Sequence, residues 1–191
     1  MALRSWPLRL AGACLLVALC CFTHAGLLHA KAVLAQWLIE RSWQQSSYPG
    51  QQKPWPWADS WPVAKLGIGH HGFYVLAGAH GTSLAFGPGL ISGTSAPGQP
   101  GATVIAGHRD THFNVLGQVE IDDVIRLENH EGKFEYQVED IRVVDVRSEP
   151  GLRYEQQGAS LLALVTCYPL DSVKPGPLRL VVIGRIRQEP L

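Results

Sequence analysis

Of the four cysteines in this 191-residue chain, Cys14, Cys20 and Cys21 lie in an apolar N-terminal run, and only Cys167 lies elsewhere. Cys167 therefore has no obvious disulfide partner, and no Cys-x-x-Cys pair offers a zinc site. What a lone thiol can do is attack a carbonyl, provided it is held rigidly with a proton partner and an oxyanion-holding group beside it. Cys167 closes the run Leu161-Leu162-Ala163-Leu164-Val165-Thr166 and precedes Tyr168-Pro169. An apolar run of strand length followed by a chain-reversing turn fixes the Cα in a sheet and opens the sulfur to a cleft. On this stretch alone Cys167 is also consistent with a small packed core residue, the commoner fate of a free cysteine.

A proton partner has to come from the eight histidines. His24 and His29 belong to the N-terminal apolar run, and His130 sits in the turn Asn129-His130-Glu131-Gly132, where it reads as solvated. His70, His71 and His80 lie in glycine-rich connectors, with no carboxylate or cysteine at ligand spacing to make a metal site of them. His108 differs. It follows Thr103-Val104-Ile105-Ala106-Gly107 and opens the polar turn His108-Arg109-Asp110-Thr111-His112, so it stands at a second strand end. His112 is the local rival, the better choice only if that turn is helical with both rings facing one site. For the oxyanion, Arg179 stands in the otherwise apolar run 178–183, where it points away from Leu178 and Leu180. A solvated arginine on a sheet face fits that strand equally. Arg185 and Arg187 share its parity nearer the C-terminus, where a solvated face is expected, and Arg109 and Arg153 lie in loops and are weaker candidates. Thr166 sets the strand end beside the thiol, with a hydroxyl that either touches substrate or packs.

The elements that must position these residues read as β. Residues 63–68, 73–76, 102–106, 124–127, 134–146, 161–166 and 178–186 are rich in Val, Ile, Leu and aromatics, and Gly, Pro, Asn or Asp separates them. The stretch Lys133 to Glu139 alternates as a half-exposed strand should, whereas Leu161 to Val165 is continuously apolar, as in a strand covered on both faces. Seven or eight short strands with little helix predict a closed or nearly closed β-barrel. Ahead of it, residues 10–30 carry no formal charge and are long enough to cross a bilayer. They read as an uncleaved anchor, with a cleaved signal peptide as the competing reading. Residues 31–45 continue as an amphipathic helix, and the Trp/Pro-rich segment to residue 60 forms an extended connector that packs onto the domain. The division expected is 1–9 cytoplasmic, 10–30 membrane anchor, 31–60 helix and connector, and 61–191 catalytic domain. Sixteen basic and sixteen acidic side chains balance to zero net charge without a basic stripe, which gives nucleic-acid binding no electrostatic support.

Taken together, His108 in Ala106-Gly107-His108-Arg109, Cys167 in Leu164-Val165-Thr166-Cys167 and Arg179 in Leu178-Arg179-Leu180-Val181-Val182 resemble the sortases, the membrane-anchored cysteine transpeptidases of bacterial surfaces. The resemblance covers roughly residues 61–187. The anchor, the Trp/Pro connector and the compact size look most like the Gram-negative, proteobacterial class. The order His, Cys, Arg separates the chain from papain-like peptidases, which place cysteine first, and the Ser-His-Gly-Cys motif of L,D-transpeptidases is absent.

The resemblance implies a sortase-like barrel and cleavage of an LPXTG-like sorting signal between Thr and Gly, through a thioacyl intermediate on Cys167. His108 would be the acid and base, Arg179 the oxyanion or signal-positioning group, and Thr166 a substrate-binding residue. The partners implied are the C-terminal sorting signal of a surface protein and an amine acceptor whose identity is open. The implied place is the inner membrane, single-pass, with the N-terminus cytoplasmic and the catalytic domain periplasmic. No cofactor is expected. No metal is expected either: Glu120, Asp122, Asp123, Glu128 and Glu131 read as solvated turn residues. The lid of pilin-polymerising classes carries an Asp-Pro-aromatic motif, and Ala58-Asp59-Ser60-Trp61-Pro62 lacks it. The competing functions are a cysteine peptidase that only hydrolyses the signal and a non-enzymatic, membrane-tethered peptide-binding barrel.

Overall fold

The computed structural model describes residues 6–46, 51–148 and 160–187. The chain divides into two compact units, Met1–Leu38 and Ile39–Leu191. The first is helical. Helix α1 runs from Trp6 to Gln45 without a break, so the expected anchor and the amphipathic segment behind it form one element. Its 40 residues span about 60 Å at 1.5 Å per residue. By length and composition it could cross a membrane, and Leu10, Leu15, Leu16, Val17, Leu19 and Phe22 are all exposed along it.

The second unit is an eight-stranded closed barrel ordered β1-β2-β3-β4-β7-β8-β6-β5. Its strands are β1 (Pro62–Ile68), β2 (His71–Ala77), β3 (Gly89–Leu90), β4 (Gly101–Ala106), β5 (Val124–Glu128), β6 (Lys133–Asp145), β7 (Ser160–Cys167) and β8 (Leu178–Ile186). Each of the seven strands expected from composition forms, within about two residues at either end. The additions are β3, a short helix α2 (Gly81–Leu84) and a 3-10 helix at His112–Gln118. Too short for any periodicity, β3 exists because it bridges β2 in parallel and β4 antiparallel.

Alternation decides the wall. In β1, Ala64, Leu66 and Ile68 turn inward to join Val75, Ile105, Leu127, Tyr136, Leu162, Leu164 and Val182 in the interior. Strand β7 is the exception to alternation. Leu162 and Leu164 face that interior, while Ala163 and Val165 join Val104, Val144 and Val181 in a second cluster on the outer side. A strand with two buried faces needs an apolar residue at every position, which is why its sequence reads as an unbroken run. Each fully buried leucine there contributes about 1.5–3 kcal/mol relative to exposure. The rigid carrier of Cys167 is therefore among the best-buried elements of the fold.

Two further packings hold the barrel's margins. Tyr136 is fully buried, and its hydroxyl accepts the Gly98 N–H (2.9 Å) and lies 3.3 Å from Ser160 Oγ, tying the β3–β4 connection to the core. The connector packs as expected: Ala58 and Ser60 are buried, Ser60 Oγ donates to the Ala77 carbonyl, and Trp55 sets its edge on Phe86 at 5.3 Å. Its path bends, with a turn closed by Ala58 N–H on the Trp55 carbonyl, instead of running extended.

Candidate active site

Three adjacent strands, β4, β7 and β8, end or begin at one rim of the barrel. Strand β4 runs parallel to β7 with Ala106 abreast of Val165. The ladder ends there, and His108 and Cys167 each follow two residues further along their chains. Two hydrogen bonds beyond the ladder keep that register: Gly107 N–H donates to the Val165 carbonyl (3.1 Å), and Thr166 Oγ1 donates to the Gly107 carbonyl (2.8 Å). On the other side β8 runs antiparallel, with Cys167 directly opposite Arg179. Tyr168 N–H donates to the Leu178 carbonyl at 3.0 Å, which makes 168/178 a hydrogen-bonded pair and 167/179 the closer-set kind. Neighbouring strands lie about 4.8 Å apart, so Arg179 flanks Cys167 at one strand spacing, and His108 follows directly after the bonded Gly107 on the other side.

The turn carrying His108 is held from beneath. Phe113 is fully buried and its N–H donates to the His108 carbonyl at 2.9 Å. Its ring lies so close under Gly107 that a Cβ there would meet it at 2.7 Å. Only glycine lets the backbone pass at that distance. His108 itself is exposed and Cys167 half-buried, as a residue awaiting substrate and its nucleophile should be. Arg179 is half-buried, and its Nη1 donates to the Gly176 and Leu178 carbonyls (2.7 and 2.8 Å). A guanidinium has five N–H groups in a planar fork, so those on Nε and Nη2 stay clear of these two contacts.

Of the two readings of Thr166, contact with substrate or packing, the structure shows the packing. Thr166 is 2% exposed and its hydroxyl proton points to the Gly107 carbonyl, so it fastens the histidine-bearing strand to the cysteine-bearing one. The turn after His108 is partly helical, since the 3-10 helix starts at His112. His112 is the half-buried member of the pair. Burial, and then the charge of nearby His108, hold its pKa below the ordinary 6.5. Its Nδ1 lies 3.2 Å from Thr111 Oγ1 and its ring meets the edge of Phe73.

The other candidates lie elsewhere. His130 is exposed and stacks on Trp43 at 4.3 Å, and His71 stacks on Phe73. Arg185 and Arg187 form exposed ion pairs with Glu139 and Glu135. Arg153 falls outside the described residues. Asp123 accepts the Glu120 N–H and Asp122 accepts from Gln137, which occupies the acidic turn with its own geometry. Among the described residues no group of three or more His, Cys, Asp or Glu side chains is placed to hold a metal ion. A cleft of about 360 Å³ opens on the outer face of β1, β2 and β5, lined by Lys65, Gly67, Gly72, Tyr74, Arg126 and Glu128 among others. None of the three candidate residues lines it. Volume alone is a poor guide here, because a nucleophile needs a fixed partner more than it needs a deep hole.

Residues 66–187 match the sortase-domain family profile. The chain is 31% identical over 111 residues to Sortase D of Bacillus subtilis (strain 168), a match covering 58% of this chain and 56% of that protein. Among solved structures it superposes on sortase A of Corynebacterium diphtheriae (TM-score 0.62, 24% identity, 70% of this chain and 64% of that one). Sortase C1 of Streptococcus agalactiae gives TM-score 0.60 at 27% identity, over 68% of this chain and 69% of that one. Sortase C-1 of Actinomyces oris gives 0.61 at 25%, over 84% of this chain and 99% of that one. This chain thus spans less than two thirds of the first two relatives.

Proposed function

The chain belongs to the sortase family, and on that premise we propose that it is a membrane-anchored cysteine transpeptidase acting on a C-terminal sorting signal. The observation that carries the proposal is the cross-strand pairing of Cys167 with Arg179 while the Thr166–Gly107 bond fastens the residue before His108 to the cysteine strand. A nucleophile, a proton carrier and a cation then stand on or just beyond the ends of three adjacent strands, each with its backbone fixed before substrate arrives.

In this proposal the Cys167 thiolate attacks the threonine carbonyl of an LPXTG-like signal. The free N–H groups of Arg179 hold the oxygen as it becomes an anion. The threonine–glycine C–N bond breaks, and His108 delivers the proton that the departing glycine amine takes up. The acyl group waits as a thioester, which splits one hard amide exchange into two easier steps. An incoming amine attacks, its surplus proton passes to His108, the C–S bond breaks, and the thiolate returns. The half-exposed thiol and exposed imidazole leave room for two different amines in succession.

The apolar helix supports an anchor at residues 10–30, and the likeness to membrane-anchored sortases supports a catalytic domain from about residue 61 on the extracytoplasmic side of the inner membrane. The Gram-negative class rests on the Trp/Pro connector, the anchor and the compact size. The experiment is product analysis by mass spectrometry, with the detergent-solubilised full chain, a panel of LPXTG-type peptides, and a small amine present or absent. An amide product that appears only with the amine is the expected result. Free acid at the same rate with or without the amine would turn the protein into a peptidase. No turnover of any peptide would favour a binding barrel.

A further inference from the structure

Next to His108 stands a side chain that the proposed chemistry does not use. Arg109 belongs to a polar turn, yet it is only 9% exposed. Its Nη1 donates to the Pro169 carbonyl (3.1 Å) and its Nη2 to the Lys174 carbonyl (2.8 Å), residues 60 and 65 positions away in sequence. Both carbonyls belong to the β7–β8 loop, residues 168–177, which starts beside Cys167 and ends just before Arg179. No carboxylate among the described residues pairs with this guanidinium within 4.0 Å, and the acceptors it meets among them are the two loop carbonyls. Burying a cation on such terms is costly unless the geometry is good. A planar fork that reaches two carbonyls at once supplies it.

A second contact joins the same two segments. Leu170 of the loop packs so near Gly117, in the 3-10 helix after the His108 turn, that a Cβ on Gly117 would meet it at 2.7 Å. The far end of the loop is held by Arg179 itself, through Gly176. Two arginines thus grip the carbonyls of residues 169, 174 and 176. Arg179 has to share its fork with substrate, whereas Arg109 does not.

From this geometry we propose that Arg109 is a positioning residue: it clamps the β7–β8 loop to the His108 turn, so that Cys167 and Arg179 keep their spacing from His108 when Arg179 turns to the substrate. The proposal rests on the transpeptidase reading for its effect on rate, but not for the clamp. A misplacement of reacting groups by about 1 Å lowers rates on the order of 100-fold, which sets the scale of the expected loss.

The test compares the full-length wild type with Arg109→Gln and Arg109→Lys, using amide hydrogen exchange read by mass spectrometry, thermal melts, and amine-transfer kinetics. Expected are melting points close to wild type and faster exchange confined to residues 170–174. The kcat should fall about 10- to 100-fold with KM nearly unchanged, and Arg109→Lys should retain more than Arg109→Gln. If Arg109→Gln does not fold, Arg109→Lys, which keeps the buried charge but not the fork, decides alone. Wild-type loop exchange and wild-type kcat in a folded variant would overturn the clamp. So would exchange rising throughout the barrel with a loss of rate that follows the melting point. If the wild type itself turns over no peptide, the transpeptidase reading fails and the exchange pattern still judges the clamp.

Discussion

The two sides of this barrel obey opposite rules. The side made by β5, β1 and β2 has the volume and the charge: a 360 Å³ cleft, with Lys65, Arg126 and Glu128 on its walls, and exposed pairs such as Arg126–Glu135 and Lys133–Glu128 beside it. Its polar groups are held by long side chains in water, where ion pairs contribute about 0–1 kcal/mol each. The side made by β4, β7 and β8 carries its cations, Arg109 and Arg179, on backbone carbonyls, and its strand ends are pinned by short bonds among buried groups, from Thr166 to Gly107 and from Gly107 to Val165. Reactivity needs the second kind of surface. A nucleophile works when its partners cannot drift, and a strand buried on both faces supplies that stiffness more cheaply than a deep cleft does.

If that contrast is right, the largest response comes from the smallest residue. Gly107→Ala forces a Cβ into the Phe113 ring, so either the ring or the His108 turn must move. Overpacking of this kind destabilises by about 1–3 kcal/mol. Steady-state kinetics should show about a 100-fold loss in kcat/KM, more than the melting point alone would explain. Next comes Thr166→Val, which keeps shape but leaves the Gly107 carbonyl without its hydroxyl donor. A loss of about 1–3 kcal/mol is expected in thermal melts of the detergent-solubilised chain, and Thr166→Ser should recover most of it.

The third response is to pH. Because burial and His108 hold His112 below 6.5 in the folded state, the unfolded chain binds that proton more readily. Its contribution is therefore intact above pH 6.5 and is lost progressively as pH falls below it, until the folded group protonates as well. Melting points measured from pH 7.5 to 5 should fall less steeply in His112→Gln than in wild type. An equal slope would show that His112 is not held neutral. The smallest response, and the control for the comparison, is on the other wall. Arg126→Ala removes an exposed pair and should change stability by less than about 0.5 kcal/mol and leave peptide turnover unaltered. A large loss of turnover there would mean that the outer cleft takes part after all.

How legible was this in the chain? Strands announced themselves wherever a face is buried, and β7 did so twice over, because both faces are. The invisible piece is the one made by pairing alone: β3, two residues long, has no pattern to carry, whereas the helical spacing past residue 30 did announce the continuation of α1. For the site, residue types at strand ends pointed to His108, Cys167 and Arg179, and the barrel brings them to one rim. Arg109 reads as a weaker oxyanion candidate because it lies in a loop, and its two acceptors are backbone carbonyls far along the chain that no side-chain pattern advertises. Thr166 shows the same limit: its place beside the thiol left substrate contact and packing both open, and its hydroxyl meets a carbonyl that only the parallel register brings near.

The most direct test of the account is to find where the acyl group rests. The full chain should be incubated with an LPXTG-type peptide without amine, quenched in acid, digested, and mapped by mass spectrometry, beside Cys167→Ala and His108→Ala. The expected result is a thioester on the fragment carrying Cys167, absent in Cys167→Ala and strongly reduced in His108→Ala. Turnover that survives Cys167→Ala, or an adduct on any other residue, would contradict it.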